Sequence, residues 1–185
     1  YNIIFKFIQP LIFYHMSVTN PITSQKQVVL RTSFAEVLRN TSTGQQQLSS
    51  LQSFQPGEVL CTFHAGETVT QPTYLTVQTG VHTHITLRPE FLQYINHSCN
   101  PNVFFDTASM ELVCLRPIEA GEEFTFFYPS TEWEMIQPFL CQCASANCLQ
   151  LIQGASYLSA ETLQQYRLTD FIQQQLHRKA QPASV

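Results

Sequence analysis

The sequence predicts a mostly β domain built from small sheets and closed by one C-terminal helix, and three observations carry that prediction. Apolar and polar residues alternate over short runs between residues 56 and 128, the pattern of strands with one buried face. Pro, Gly, Asn or Ser bounds each run, and these are the residues that tight turns favour. A helical spacing of apolar residues is clear only near the end, over 159–179.

In chain order, residues 1–27 read as an N-terminal extension. YNIIFKFIQPLIFYH is apolar, but Lys6 and Pro10 interrupt it and it is too short to cross a bilayer as a helix, so no membrane association is expected. Met16 opens MSVTNPITSQ like an ordinary start, and 17–27 is a polar, flexible lead-in. Val28 to Leu38 reads as a strand running into a turn, and NTSTGQQQLSSLQSF, around Gly44, as a loop holding one short strand. PGEVLCTF, TYLTVQT and VHTHITL give three further strands, EFLQYI one helical turn, and NVFFDTASMELVCLRPI a hairpin around Asp106 to Ser109. EAGEEFTFFY supplies a Gly turn and a last strand, and residues 130–157 form a Cys-rich loop. A helix over 158–180 follows, with Ser159 as N-cap and His177, Arg178 and Lys179 at its negative end. Residues 181–185 read as a disordered tail.

With 185 residues, 44% of them apolar, the chain can bury one domain-sized core. Nine basic residues spread along a chain of net charge −4 form no stripe for a phosphate backbone, so no direct nucleic-acid binding is expected. Nothing in the sequence fixes an oligomeric state.

Three of the six cysteines cluster in CQCASANC. Such Cys-x-Cys-x4-Cys spacing puts three thiolates on a short arc suited to tetrahedral Zn²⁺, and a closed structural site needs a fourth. Cys99, in a turn-prone polar segment, is the best candidate to join Cys141, Cys143 and Cys148, because Cys61 and Cys114 sit in alternating strands where a thiol packs as an apolar group. Reduced thiols on a metal place the chain in the cytoplasm, or in the nucleus if its source has one.

YINHSCNPN at 94–102, GEEFTFFY at 121–128 and CQCASANC at 141–148 together resemble the two signature motifs and the post-SET zinc loop of SET-domain protein lysine methyltransferases, in order and spacing. FFYPSTEWEMIQPF further resembles the linking stretch of small stand-alone members. The resemblance implies a SET domain over 28–129 in which the Asn-His segment and the terminal Tyr strand cross in a pseudoknot, followed by a post-SET zinc loop over 130–157. It implies a methyl donor, S-adenosylmethionine, and a protein substrate whose target lysine enters from the opposite face. Tyr128 takes the place of the catalytic tyrosine. Asn96 and His97 match the donor-binding pair, Tyr94 packs near the donor, and Gly44 stands for the family's donor loop. Phe126 and Phe105 fall on the lysine channel, and a Phe at 126 leaves room for di- or trimethylation. Cys99, Cys141, Cys143 and Cys148 match the structural zinc ligands.

The sequence departs from the family pattern at several positions. The Gly-x-Gly donor loop keeps only Gly44, and Gln93 replaces the Arg before the motif aromatic. Phe127 replaces the acidic residue before the tyrosine, and Ala144 and Gln150 stand where glycines follow the second and third zinc cysteines. These departures motivate an alternative, a zinc-stabilised SET-like interaction module with weak or lost catalysis. Donor binding separates the two.

Overall fold

The structure, a computed structural model, describes residues 25–181. The expectations for residues 1–24 and 182–185 lie outside the described residues. Short strands among the described residues form five small sheets, as the mostly β prediction requires.

The first sheet contains β1 (Lys26–Arg31), β2 (Ala35–Asn40) and β3 (Gln46–Ser50) in that order. Strand β1 therefore starts two residues ahead of the boundary expected at 28. Thr32 closes the first turn, where the Ala35 N–H donates to its hydroxyl oxygen at 3.0 Å. Asn40 shapes the second by accepting from the amides of Ser42 and Thr43, and Gly44 takes the positive φ of 76° that this turn needs. All six residues of β1 are exposed, which is why the sequence shows no clean period there.

The second sheet places β4 (Val59–Thr62) beside β10 (Glu111–Cys114), which pairs on its other edge with β9 (Val103–Asp106). The β9–β10 hairpin turns where expected, capped by Asp106, which accepts from the amides of Ala108 and Ser109. The third sheet is β5 (His64–Val69), β7 (Thr83–Arg88) and β6 (Thr76–Gly80). Strand β5 has no counterpart in the sequence reading. Its residues are mostly exposed and polar, and Gly66 sits in its middle where a Cβ would meet the Thr86 hydroxyl at 2.8 Å.

The EFLQYI turn is a 3₁₀ helix over Glu90–Tyr94. It leads into β8 (Asn96–His97), which pairs in parallel with β11 (Thr125–Phe126). On the far side, Asn102 accepts from Thr125 N–H at 2.7 Å and donates to Glu123 O at 2.8 Å. The 123–126 strand is thus gripped between the 96–98 segment and Asn102, the crossing implied by the resemblance.

The predicted C-terminal helix is present, but its span of 158–180 is corrected, because that stretch holds two helices. Ser159 caps α1 (Ala160–Leu163) through Thr162 N–H as expected, but the chain leaves helical geometry before α2 (Asp170–Ala180). The break follows from docking. Tyr166 stacks on Phe127 with ring centroids 3.7 Å apart, and Thr169 bonds Ser130 O through both its amide and its hydroxyl. In a continuous helix the Thr169 N–H would be committed to the carbonyl four residues back and could not donate to Ser130 O. Phe127, Ala155, Leu163, Phe171 and Ile172 make a second apolar core here, against which Trp133 packs. The main core lies among the sheets, around Phe54, Phe105, Leu112, Ile118 and Phe124.

Candidate active site

The site is built where β11 leaves its pairing with β8. Alternation along 124–128 turns Phe124 and Phe126 into the main core, while Phe127 faces the second core. Tyr128 follows in a short 3₁₀ turn with Pro129 and Ser130. A file of aromatic rings reaches it from the core: Phe63 to Phe105 at 5.4 Å, Phe105 to Phe126 at 4.9 Å, and Phe126 to Tyr128 at 4.6 Å.

A cavity of about 290 Å³ opens on this file. Phe105, Phe126 and Tyr128, the three residues expected on the lysine channel, all line it, together with Leu75, Glu132 and Phe139. The Tyr128 hydroxyl makes a long 3.5 Å contact to Ile95 O, and burial pushes its pKa up to about 12, so it keeps its proton.

His97 lies against the same tyrosine, with centroids 5.2 Å apart, and against Phe139 at 5.6 Å. Its Nδ1 accepts from Tyr128 N–H at 3.2 Å, which leaves the ring proton on Nε2, 3.4 Å from Cys99 Sγ. Burial pushes its pKa down to about 4 and keeps it neutral. Asn96 donates to Gln46 O at 3.0 Å and to Glu123 Oε1 at 2.8 Å, tying β3 to β8. Tyr94 packs on the main core. None of these three lines the cavity, and neither does Gly44, which is exposed with nothing within 4 Å of an added Cβ. Tyr128 and Phe139 belong both to the cavity and to the His97 cluster.

The four expected metal-site cysteines come together, with the Sγ atoms of Cys99, Cys141, Cys143 and Cys148 all within 4.8 Å of one another. Thiolates at ~2.3 Å from a tetrahedral Zn²⁺ stand roughly 3.8 Å apart, so this donor set fits a closed site that could hold a metal. Backbone N–H groups of Leu149 and Cys143 reach Cys99 Sγ and Cys141 Sγ at 3.4 Å, the kind of donor that steadies a thiolate. The other two cysteines lie on neighbouring strands, with Cys114 buried and Cys61 half-buried, and burial pushes the Cys61 thiol up to about 11.

Three departures from the family pattern gain a structural setting. Ala144 and Gln150 have φ of 55° and 64°, so both occupy left-handed positions that suit glycine. Phe127 is the platform for Tyr166, whose hydroxyl donates to Cys99 O at 2.9 Å, beside Asn147 Nδ2 at 2.7 Å.

Sequence reasoning missed Glu132, Asn147 and Tyr166. Asn147 sits inside the cysteine motif and carried a signal. Glu132 and Tyr166 depend on partners more than 50 residues away in sequence and carried none.

The SET-domain family pattern matches residues 23–129, more than half of the chain, and the chain belongs to the SET-domain family. Its relatives are methyltransferases. It is 46% identical over 109 residues to the methyltransferase flvH of Aspergillus flavus, a match covering 58% of this chain and 61% of that protein. It is also 36% identical over 78 residues to a histone-lysine N-methyltransferase, H3 lysine-36 specific, of Candida albicans, across 38% of this chain and 9% of that one. The protein of that description from Saccharomyces cerevisiae is 27% identical over 103 residues, 52% of this chain and 14% of its own. The chain thus spans under two thirds of flvH and a small part of the histone-directed proteins. Among the described residues, no helix is long and apolar enough to cross a membrane.

Proposed function

We propose that the chain transfers a methyl group from S-adenosylmethionine to the side-chain amine of a lysine in a protein substrate. The observation that carries this reading is Tyr128, which lines an aromatic cavity and also contacts His97. Methyl transfer is an in-line displacement, and its acceleration comes mostly from alignment and exclusion of water. In this reading the cavity aligns the amine and excludes water, and the Tyr128 hydroxyl stands where it would meet the donor. Asn96, His97 and Tyr94 form the donor side with the Gly44 turn, and Phe126 and Phe105 wall the amine side. Zn²⁺ on Cys99, Cys141, Cys143 and Cys148 is structural, since four thiolates leave no open position for water.

Incubation with labelled donor and a lysate, followed by identification of labelled proteins, tests transfer to lysine and names the substrate. Tyr128→Phe is expected to lower the rate by ~100-fold or more while donor binding by calorimetry stays unchanged. Near-wild-type turnover in that variant would remove Tyr128 from the chemistry. Wild-type protein that takes up no donor at millimolar concentration would favour a SET-like interaction module.

A further inference from the structure

The cavity at Tyr128 is walled by aliphatic and aromatic side chains, prolines, threonines and glutamines, and one lining residue, Glu132, carries a formal charge. Its carboxylate is held in a fixed place. Oε1 accepts from Gln78 N–H at 2.9 Å and from the Thr131 hydroxyl at 3.2 Å. Gln78 returns the tie by accepting from Trp133 N–H at 2.9 Å, so β6 and the 131–133 segment clamp each other. Among the described residues nothing donates to Oε2, and no Lys, Arg or His forms an ion pair with this carboxylate. Burial pushes its pKa up to about 7, against the pull of its two hydrogen bonds.

A half-buried carboxylate that lines an otherwise uncharged cavity, with one oxygen that no described group engages, has its natural complement in a compact cation. We propose that Glu132 is the amine-recognising group of the channel, binding the substrate's alkylammonium through Oε2 beside Tyr128. This rests on the reading of the cavity as the amine channel, and adds a charge-based selection that an aromatic channel alone lacks. An uncharged chain of the same shape would fill the apolar wall but leave the carboxylate without a counter-charge.

The test uses n-butylammonium and its uncharged counterpart n-butanol, titrated into the full chain at pH 8 and followed by NMR. Wild-type protein is expected to prefer the ammonium by about tenfold or more. Glu132→Gln keeps an oxygen for Gln78 N–H and is expected to bind the two probes alike. Equal affinity of the wild type for both probes, or an undiminished preference in the variant, overturns the inference. The wild-type comparison needs no variant to fold. An ammonium preference in protein that methylates no lysine supports the inference and counts against the proposed function. Lysine methylation without any preference does the reverse.

Discussion

Ionised Glu132 is held where few dipoles compensate it, so it stabilises the fold less than its protonated form does. Its folded pKa of about 7 lies above the usual carboxylate value of 4.5. The protonated form is therefore favoured by folding: this contribution is complete below pH 4.5 and disappears as pH rises through about 7. Gln mimics the protonated state at every pH. Glu132→Gln should therefore melt above wild type at pH 8, by ~1–2 kcal/mol, with the gap closing towards pH 5. A gap independent of pH would show that the carboxylate is not the titrating group. The same substitution is expected to weaken ammonium binding, so stability and function pull this residue in opposite directions.

At the scale of elements, the cysteine loop holds two residues against their preference. Ala144 and Gln150 both sit at positive φ, where a Cβ costs ~1–2 kcal/mol, partly offset by the entropy that glycine would lose. Ala144→Gly and Gln150→Gly should each raise stability by ~0.5–1 kcal/mol in denaturant melts. Loss of stability in both would mean that the loop does not adopt these dihedrals. These residues also show what was legible in the sequence. Cysteine spacing pointed to the metal cluster because it dictates which thiolates can share an ion, whereas the NHS and FFY motifs pointed to the tyrosine through the family resemblance. The hairpin at Asp106 was legible through its turn residues. The helix break was not, since the Thr169 N–H is diverted to Ser130 O, a contact that spans 39 residues and leaves no period in either segment. Strand β5 escaped because an exposed polar strand carries no alternation to read. Glu132 carried no signal because its partner Gln78 lies 54 residues away on β6.

In the whole molecule, Cys99 is fully buried and ties together segments that are far apart in sequence. Its thiol joins the metal cluster, and its carbonyl accepts from Asn147 and Tyr166, which belong to the cysteine loop and to the segment between α1 and α2. A metal held there would fasten the loop and the C-terminal helices to the SET sheets at once. Purified protein should contain about one equivalent of zinc, and chelation should lower the melting temperature by ~10 °C or more, with amide exchange rising first over 139–168. An unchanged melt after complete chelation would leave the thiols without a structural role.

Cys99 is separated from Cys141, Cys143 and Cys148 by more than forty residues, and from Tyr166 by 67. A chain synthesised at about 5–20 residues per second exposes Cys99 on the order of 2–10 s before Cys148 exists. During that interval Cys99 has none of the other three thiols beside it. A centre held by all four cysteines would therefore be a late event in biogenesis, formed only once Cys148 has emerged.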